Sequence, residues 1–237
     1  MINFLRLNKS ELMQDFAIAV FVKTPKLSPI KTRLAESADR AFSDEFYHRS
    51  VKVTEEVLLT VQEQFSNVCP YWAIAEEEGL TFDLWSRFEK IWQGDGDLGD
   101  RLFQVYNTLK KSHRFVILIG ADSPLIHIDH FSKTFKSLIS GNNFVLGPAY
   151  DGGFYLFGGS LDLPKSVWKK VRYSTNTTCT QLKNELQSIG SIRELEPIWD
   201  IDTKEDIHSL LDANPSSQPL LQHQTGIINW MSDYYHS

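Results

Sequence analysis

Phe115-Val-Ile-Leu-Ile-Gly120-Ala-Asp122-Ser-Pro124 opens on five consecutive apolar residues and closes on a glycine, an acid and a proline. Such an unbroken run reads as a strand buried on both faces, the pattern of a parallel sheet rather than of a half-exposed one. Gly120 and Pro124 end it, so Asp122 leaves the carboxyl end of a central strand, where open α/β sheets bind their ligands. A carboxylate fixed there suits a hard cation, Mg²⁺ or Mn²⁺. The competing reading makes Asp122 or Ser123 the cap of a following helix with Pro124 in its first turn; that explains the acid but not the glycine.

Working outward, Phe16 to Val22 predicts a first strand, followed by a loop with Pro25 and Pro29 and a helix beginning near Lys31. Tyr47, Val51, Val57, Val61 and Phe65 mark one face of a long helix, Val68 to Ala75 a second strand, and Leu98, Leu102, Val105 and Leu109 an amphipathic helix after the Gly94–Gly99 loop. Beyond the central strand, Ile128 to Leu138 reads as a helix stopped at Gly141. Phe144–Leu146 and Phe154–Phe157 read as short strands around the Tyr150–Gly153 turn, and 203–211 as a last helix. Strands alternating with helices imply an α/β fold, a mostly parallel sheet with helices on both faces. We read one domain over residues 1–214, then a break at Asn214 and Pro215 and an apolar-aromatic tail, 215–237.

The 237 residues suffice for a core without disulfides, and Cys69 and Cys179 read as ordinary buried thiols. A net charge of −6 argues against a nucleic-acid partner, whose backbone calls for clustered Lys and Arg. The longest apolar run, Phe16 to Val22, is too short for a membrane span, and Arg6, Lys9 and Glu11 interrupt any signal-peptide core, so a cytoplasmic location is expected. No oligomeric state follows from the sequence.

Four further segments carry possible chemistry. Lys23, Lys31 and Arg33 surround a strand-to-helix loop, where helix amides already favour an anion, and would grip the phosphates of a nucleotide. Asp97 and Arg101, in Gly94-Asp-Gly-Asp97-Leu-Gly-Asp-Arg101, could cover base or ribose, although Asp97 is equally a helix cap. Asp151-Gly152-Gly153-Phe-Tyr155 is either a tight turn or an acceptor-binding wall. In the second reading Asp151 is binder or general base, Gly152 and Gly153 allow close approach, and Tyr155 offers a stacking surface. Asp200 and Asp202 alternate along an expected short strand, so both could face the metal of Asp122, while Thr203 and Asp206 are spaced as a capping box. His127 and His130 read as surface residues. No Walker loop, dinucleotide fingerprint, His-Glu-x-x-His or nucleophile elbow is present.

Taken in order, Lys31-Thr-Arg-Leu34, Gly96-Asp-Leu-Gly-Asp-Arg101, Gly120-Ala-Asp-Ser-Pro124, Gly147-Pro-Ala-Tyr-Asp-Gly-Gly-Phe-Tyr155 and Asp200-Ile-Asp-Thr203 resemble the GT-A-like bacterial family of radical-SAM-associated transferase 1, also called arsenosugar-biosynthesis-type glycosyltransferases. The resemblance covers about residues 16 to 211. It implies a nucleotide-diphospho-sugar transferase fold, a divalent metal, a nucleotide sugar or NTP, and a small-molecule acceptor. The Lys-Thr-Arg-Leu element is also similar to guanylyltransferases that activate phospholactate. Three activities are therefore in view: glycosyl transfer, nucleotidylyl transfer to a phosphorylated small molecule, and nucleotide binding without turnover. Where the family has Gly, this chain has Ser28 followed by Pro29.

Overall fold

A computed structural model describes residues 15–212 and 219–236. β1 (Phe16–Val22) lies between β2 (Val68–Ile74) and β4 (Phe115–Gly120), parallel to both. β3 (Glu89–Trp92) extends the sheet beyond β2, and β6 (Phe154–Gly159), β5 (Phe144–Pro148) and β7 (Ile192–Glu194) extend it beyond β4. Only β6 runs against its neighbours β4 and β5, which makes the seven-stranded sheet mostly parallel, as the sequence predicts.

Alternation along β1 shows how the sequence builds two layers of core. Phe16, Ile18, Val20 and Val22 pack on one face with α2 (Arg40–Gln64) and α4 (Ile128–Ile139). Ala17 and Ala19 face the other side with α3 (Leu98–Lys110), α5 (Lys165–Lys169) and α6 (Thr178–Gln187). Small residues on that side let Leu102, Val105 and Tyr106 of α3 approach the sheet closely. The short α1 (Thr32–Ser37) and α7 (Lys204–Asp212) complete the rim beside the carboxyl ends of β1 and β4.

The tail does more than its composition suggests. α8 (Gln222–His236) packs on α2: Ile227 and Met231 are fully buried, and Trp230 stacks on Phe42 at 4.5 Å between ring centroids. Each such buried side chain is worth about 1.5–3 kcal/mol. Gln224, also fully buried, donates to the carbonyls of Pro124 and Ile126, both at 3.0 Å, and so ties α8 to the loop that follows Asp122. Among the described residues no helix is long and apolar enough to cross a membrane. Cys179 is buried and Cys69 half-buried, both as free thiols.

His127 and His130 are not free surface residues. His127 caps α4, accepting at Nδ1 from the Asp129 amide at 3.3 Å, and His130 Nδ1 accepts from the His127 amide at 2.9 Å. The His130 role needs a neutral ring, and burial against Tyr155 pushes the His130 pKa down to about 4. Below about pH 6.5 the unfolded imidazole takes a proton that the folded one refuses, so stability is lost as pH falls from there toward 4. Denaturant titrations at pH 7 and pH 4.5 should show the native protein losing about 2–3 kcal/mol more than His130→Gln, which keeps an acceptor without a titrating ring. Equal losses would contradict the assignment.

Candidate functional site

The centre of the site is a lysine held between two acids. Lys31 sits at the end of the loop after β1 in the left-handed conformation, φ 41° and ψ 48°, which costs a non-glycine residue about 1–2 kcal/mol. Its carbonyl accepts from the buried Ser43 hydroxyl at 2.9 Å, which holds the backbone in place. Strain retained in this way is characteristic of functional positions. The ammonium, only 6% exposed, reaches Asp122 Oδ2 and Asp202 Oδ1, each at 2.7 Å. Burial works to lower the Lys31 pKa, but Asp122, Asp202 and Asp200 together drive it upward, so the side chain is charged.

Each acid is positioned from a different part of the chain. Asp122 leaves the end of β4 as the sequence predicts. A Cβ on Gly120 would collide with the Asp122 carboxylate, so that glycine is what lets the side chain fold back over the strand end. Ser50 of α2 donates to the Ala121 carbonyl at 2.6 Å and braces the same turn. The strand expected around Asp200 and Asp202 does not form. An extended segment takes its place, held by a single bridge between Ala149 and Ile198 and by the Ile201 amide donating to the Asp122 carbonyl at 3.1 Å. Asp200 accepts from the Ser123 hydroxyl at 3.0 Å, and Arg33 donates to Asp202 at 3.2 Å.

The two neighbouring acids diverge electrostatically. Burial and the nearby Asp122 carboxylate raise the Asp200 pKa well above the usual range. Burial also opposes ionisation of Asp202, but Lys31 and Arg33 outweigh it and hold that carboxyl below its ordinary value. Titratable neighbours pushed apart in this way mark functional clusters more often than structural ones.

Two adjoining cavities open over this cluster. The larger, about 530 Å³, is lined by Lys23, Lys31, Arg33 and Arg101 together with Asp122 and Asp202. That volume is within the range of small-ligand sites. The smaller, about 210 Å³, lies against the 151–155 turn and carries Asp151, Asp200 and Asp202 with Tyr173, Thr175 and Thr178. Among the described residues no Lys or Arg lines it.

The structure gathers most of the residues singled out from the sequence, but Asp97, Tyr155 and Gly152 have other surroundings than expected. Asp97 caps α3, accepting from the Asp100 amide at 3.0 Å, and its other oxygen is taken by Lys169 at 2.6 Å; its carboxylate is committed to the helix start rather than offered to a ligand. Tyr155 is 1% exposed, and its hydroxyl donates to the Glu196 carbonyl at 3.2 Å. It forms cavity floor rather than an open stacking surface. Gly153 donates to Asp151 at 2.8 Å, while Gly152, at φ 88°, lies so close to the Asn176 backbone that the chain's own loop occupies the space expected for an acceptor. The Thr203 and Asp206 pair does cap α7, the Asp206 carboxylate accepting from the Thr203 amide at 2.7 Å.

Sequence reasoning missed Gln93. Its buried amide donates to the Val22 and Ala73 carbonyls at 3.2 and 2.8 Å, and its oxygen faces Arg101 at 3.5 Å. Its position at the end of β3 is the signal that would have found it, and β3 is too short to stand out. Tyr47, whose hydroxyl bonds both the amide and the carbonyl of Lys23, was read only as helix packing.

The donor set fits a hard divalent ion, since Asp122, Asp200 and Asp202 offer only carboxylate oxygen. Among the described residues no three His, Cys, Asp or Glu side chains close around one point. Mg²⁺ commonly takes only one or two carboxylates and completes its shell with phosphate and water. Asp122 and Asp202, already spaced to share the Lys31 ammonium, meet that requirement.

The sheet order, the single reversed strand and a site over the ends of β1 and β4 define the GT-A-like nucleotide-diphospho-sugar transferase fold. A candidate nucleotide-diphospho-sugar transferase from Desulfovibrio desulfuricans G20 superposes with a TM-score of 0.75 at 22% identity, covering 92% of this chain and 99% of that one. The 4-diphosphocytidyl-2C-methyl-D-erythritol synthase of Anaerococcus prevotii DSM 20548 is also similar, with a TM-score of 0.54 at 13% identity over 83% of this chain and 96% of that one. Residues 60–175 match the family described as "Uncharacterized protein conserved in bacteria (DUF2064)". No curated protein matches the chain. The fold and this family match agree with the GT-A-like resemblance carried by the motifs.

Proposed function

We propose that the chain is a metal-dependent glycosyltransferase using a nucleotide-sugar donor. The observation that carries this reading is the division of charge between the two cavities. Lys23, Lys31, Arg33 and Arg101 concentrate cations in the larger one, which suits a diphosphate. The smaller sets Asp151, Asp200 and the threonine hydroxyls beside an apolar wall of Phe21, Leu102, Leu118 and Phe154, with no Lys or Arg among its described lining residues, which suits an uncharged sugar ring. A phosphorylated acceptor, which nucleotidylyl transfer would need, would meet like charge there at close range. Both kinds of chemistry occur among proteins named for this fold, so the fold does not choose between them and the site must.

In this reading Asp122 and Asp202 hold the ion. A divalent ion bound there supplies charge neutralisation to a departing nucleoside diphosphate. Lys31 and Arg33 add positive charge to the same cavity, and Arg101 grips the nucleotide from the start of α3. Asp151, at the open side of the smaller cavity, orients the acceptor hydroxyl and takes its proton. The test is the phosphorus product: release of nucleoside diphosphate from a nucleotide sugar supports the proposal, and release of pyrophosphate from an NTP overturns it.

A further inference from the structure

The cation that Asp122 and Asp202 share is the Lys31 ammonium, bonded to both at 2.7 Å and almost closed off from solvent. A divalent ion directed to the same pair would meet that ammonium as a like charge at contact range. Arg33 is not such an obstacle: it touches only Asp202, and its side chain is 63% exposed. The Lys31 backbone is pinned by Ser43 and by its place at the start of α1, so only the side chain is free to swing. The cavity it lines also carries Lys23, Arg33 and Arg101, the cations assigned above to phosphate, so it favours a displaced ammonium only when phosphate is bound there.

We propose that Lys31 is a built-in counter-ion for the metal pair and must transfer to the donor's phosphates before a divalent ion can bind, so that metal and nucleotide enter as a coupled pair. This rests on the phosphate and metal assignments of the preceding reading. Metal arriving alone must expel an ammonium that has nowhere favourable to go. When a nucleotide is present, the ammonium gains phosphate oxygen as the carboxylates gain the metal. Linkage then requires nucleotide to raise metal affinity by the same factor as metal raises nucleotide affinity.

The experiment titrates Mn²⁺ by calorimetry and by the loss of the free-ion electron-spin-resonance signal. It is run with Mn²⁺ alone and with GDP, UDP, CDP or ADP in turn, on the native protein and on Lys31→Met, which keeps an unbranched side chain one atom shorter and without charge. The native protein should bind Mn²⁺ at least about tenfold more tightly with the preferred nucleotide, within the usual range of coupling between sites. Lys31→Met should bind Mn²⁺ alone at least about tenfold more tightly than the native protein does, and the nucleotide effect should shrink. Equal Mn²⁺ affinity with and without a bound nucleotide in the native protein would overturn the inference while leaving the nucleotide site intact. So would a folded Lys31→Met with unchanged affinity for Mn²⁺ alone. Failure of every nucleotide to bind in either protein would instead remove the functional reading, and the Mn²⁺-alone comparison would still decide the role of Lys31. Should Lys31→Met not fold, Lys31→Gln takes its place in the same comparison.

Discussion

Asp122→Asn is expected to fold and to lose at least about a hundredfold in Mn²⁺-dependent nucleotide affinity, roughly 2.8 kcal/mol at 1.4 kcal/mol per factor of ten, because it removes a charged ligand proposed for the ion. The fold survives because Asn has the same shape, Lys31 keeps Asp202 at 2.7 Å, and the Ile201 amide bonds the backbone carbonyl of residue 122, which the substitution leaves alone. The stability change should be no more than about 1–3 kcal/mol, the range for losing one hydrogen bond to a charged group. Binding falls because the variant removes one of the two negative charges that share the cation. Paired urea titration and calorimetry separate the two effects. Unchanged nucleotide affinity in a folded variant would refute the assignment of Asp122.

Gly152→Ala is expected to destabilise the protein by about 4 kcal/mol or more, among the largest single-substitution effects known outside deep cavities. Two costs combine. The position has φ 88°, where a side chain is strained, and the added Cβ would strike the Asn176 backbone rather than a movable side chain. The Gly152 carbonyl also accepts from the Cys179 amide at 2.9 Å at the start of α6, so any relief by moving the turn disturbs that helix. Thr175 and Thr178 line the smaller cavity with Asp151, and the same shift would change its shape. The expected readout is a lowered denaturation midpoint together with loss of transfer activity. A stability within 1 kcal/mol of native, a small change for such a site, would show that the turn and loop are not packed as described.

Much of the layout is legible in the sequence because it depends on local signals. The apolar run ending at Gly120 fixes a central strand, and the alternation of Phe16 to Val22 with Ala17 and Ala19 fixes two covered faces. β3 and β7 are hidden because they are four and three residues long at the sheet edges, too short for periodicity to speak. α8 reads as a tail because its packing depends on where α2 lies, and nothing local indicates that Gln224 will reach Pro124.

The site is legible by residue type and not by pairing. Lys31, Asp122 and Asp202 each stand out, but their union spans 91 and 171 residues of chain, and only the topology brings them within 2.7 Å. At Asp97 a local signal for a ligand group and one for a helix cap are the same residue, and in the structure the carboxylate caps α3 beside Lys169. Tyr155 belongs to a strand buried on both faces, so its ring joins the core whichever side it takes.

The central claim is that a nucleotide sugar binds with its diphosphate among the cations and its sugar among the carboxylates. It is tested most directly by ³¹P NMR of the native protein with Mg²⁺, a panel of nucleotide sugars and NTPs, and a mixture of neutral and phosphorylated hydroxyl acceptors. The prediction is accumulation of one nucleoside diphosphate from one nucleotide sugar, with neutral acceptors consumed. Pyrophosphate growing from an NTP as a phosphorylated acceptor disappears would contradict it.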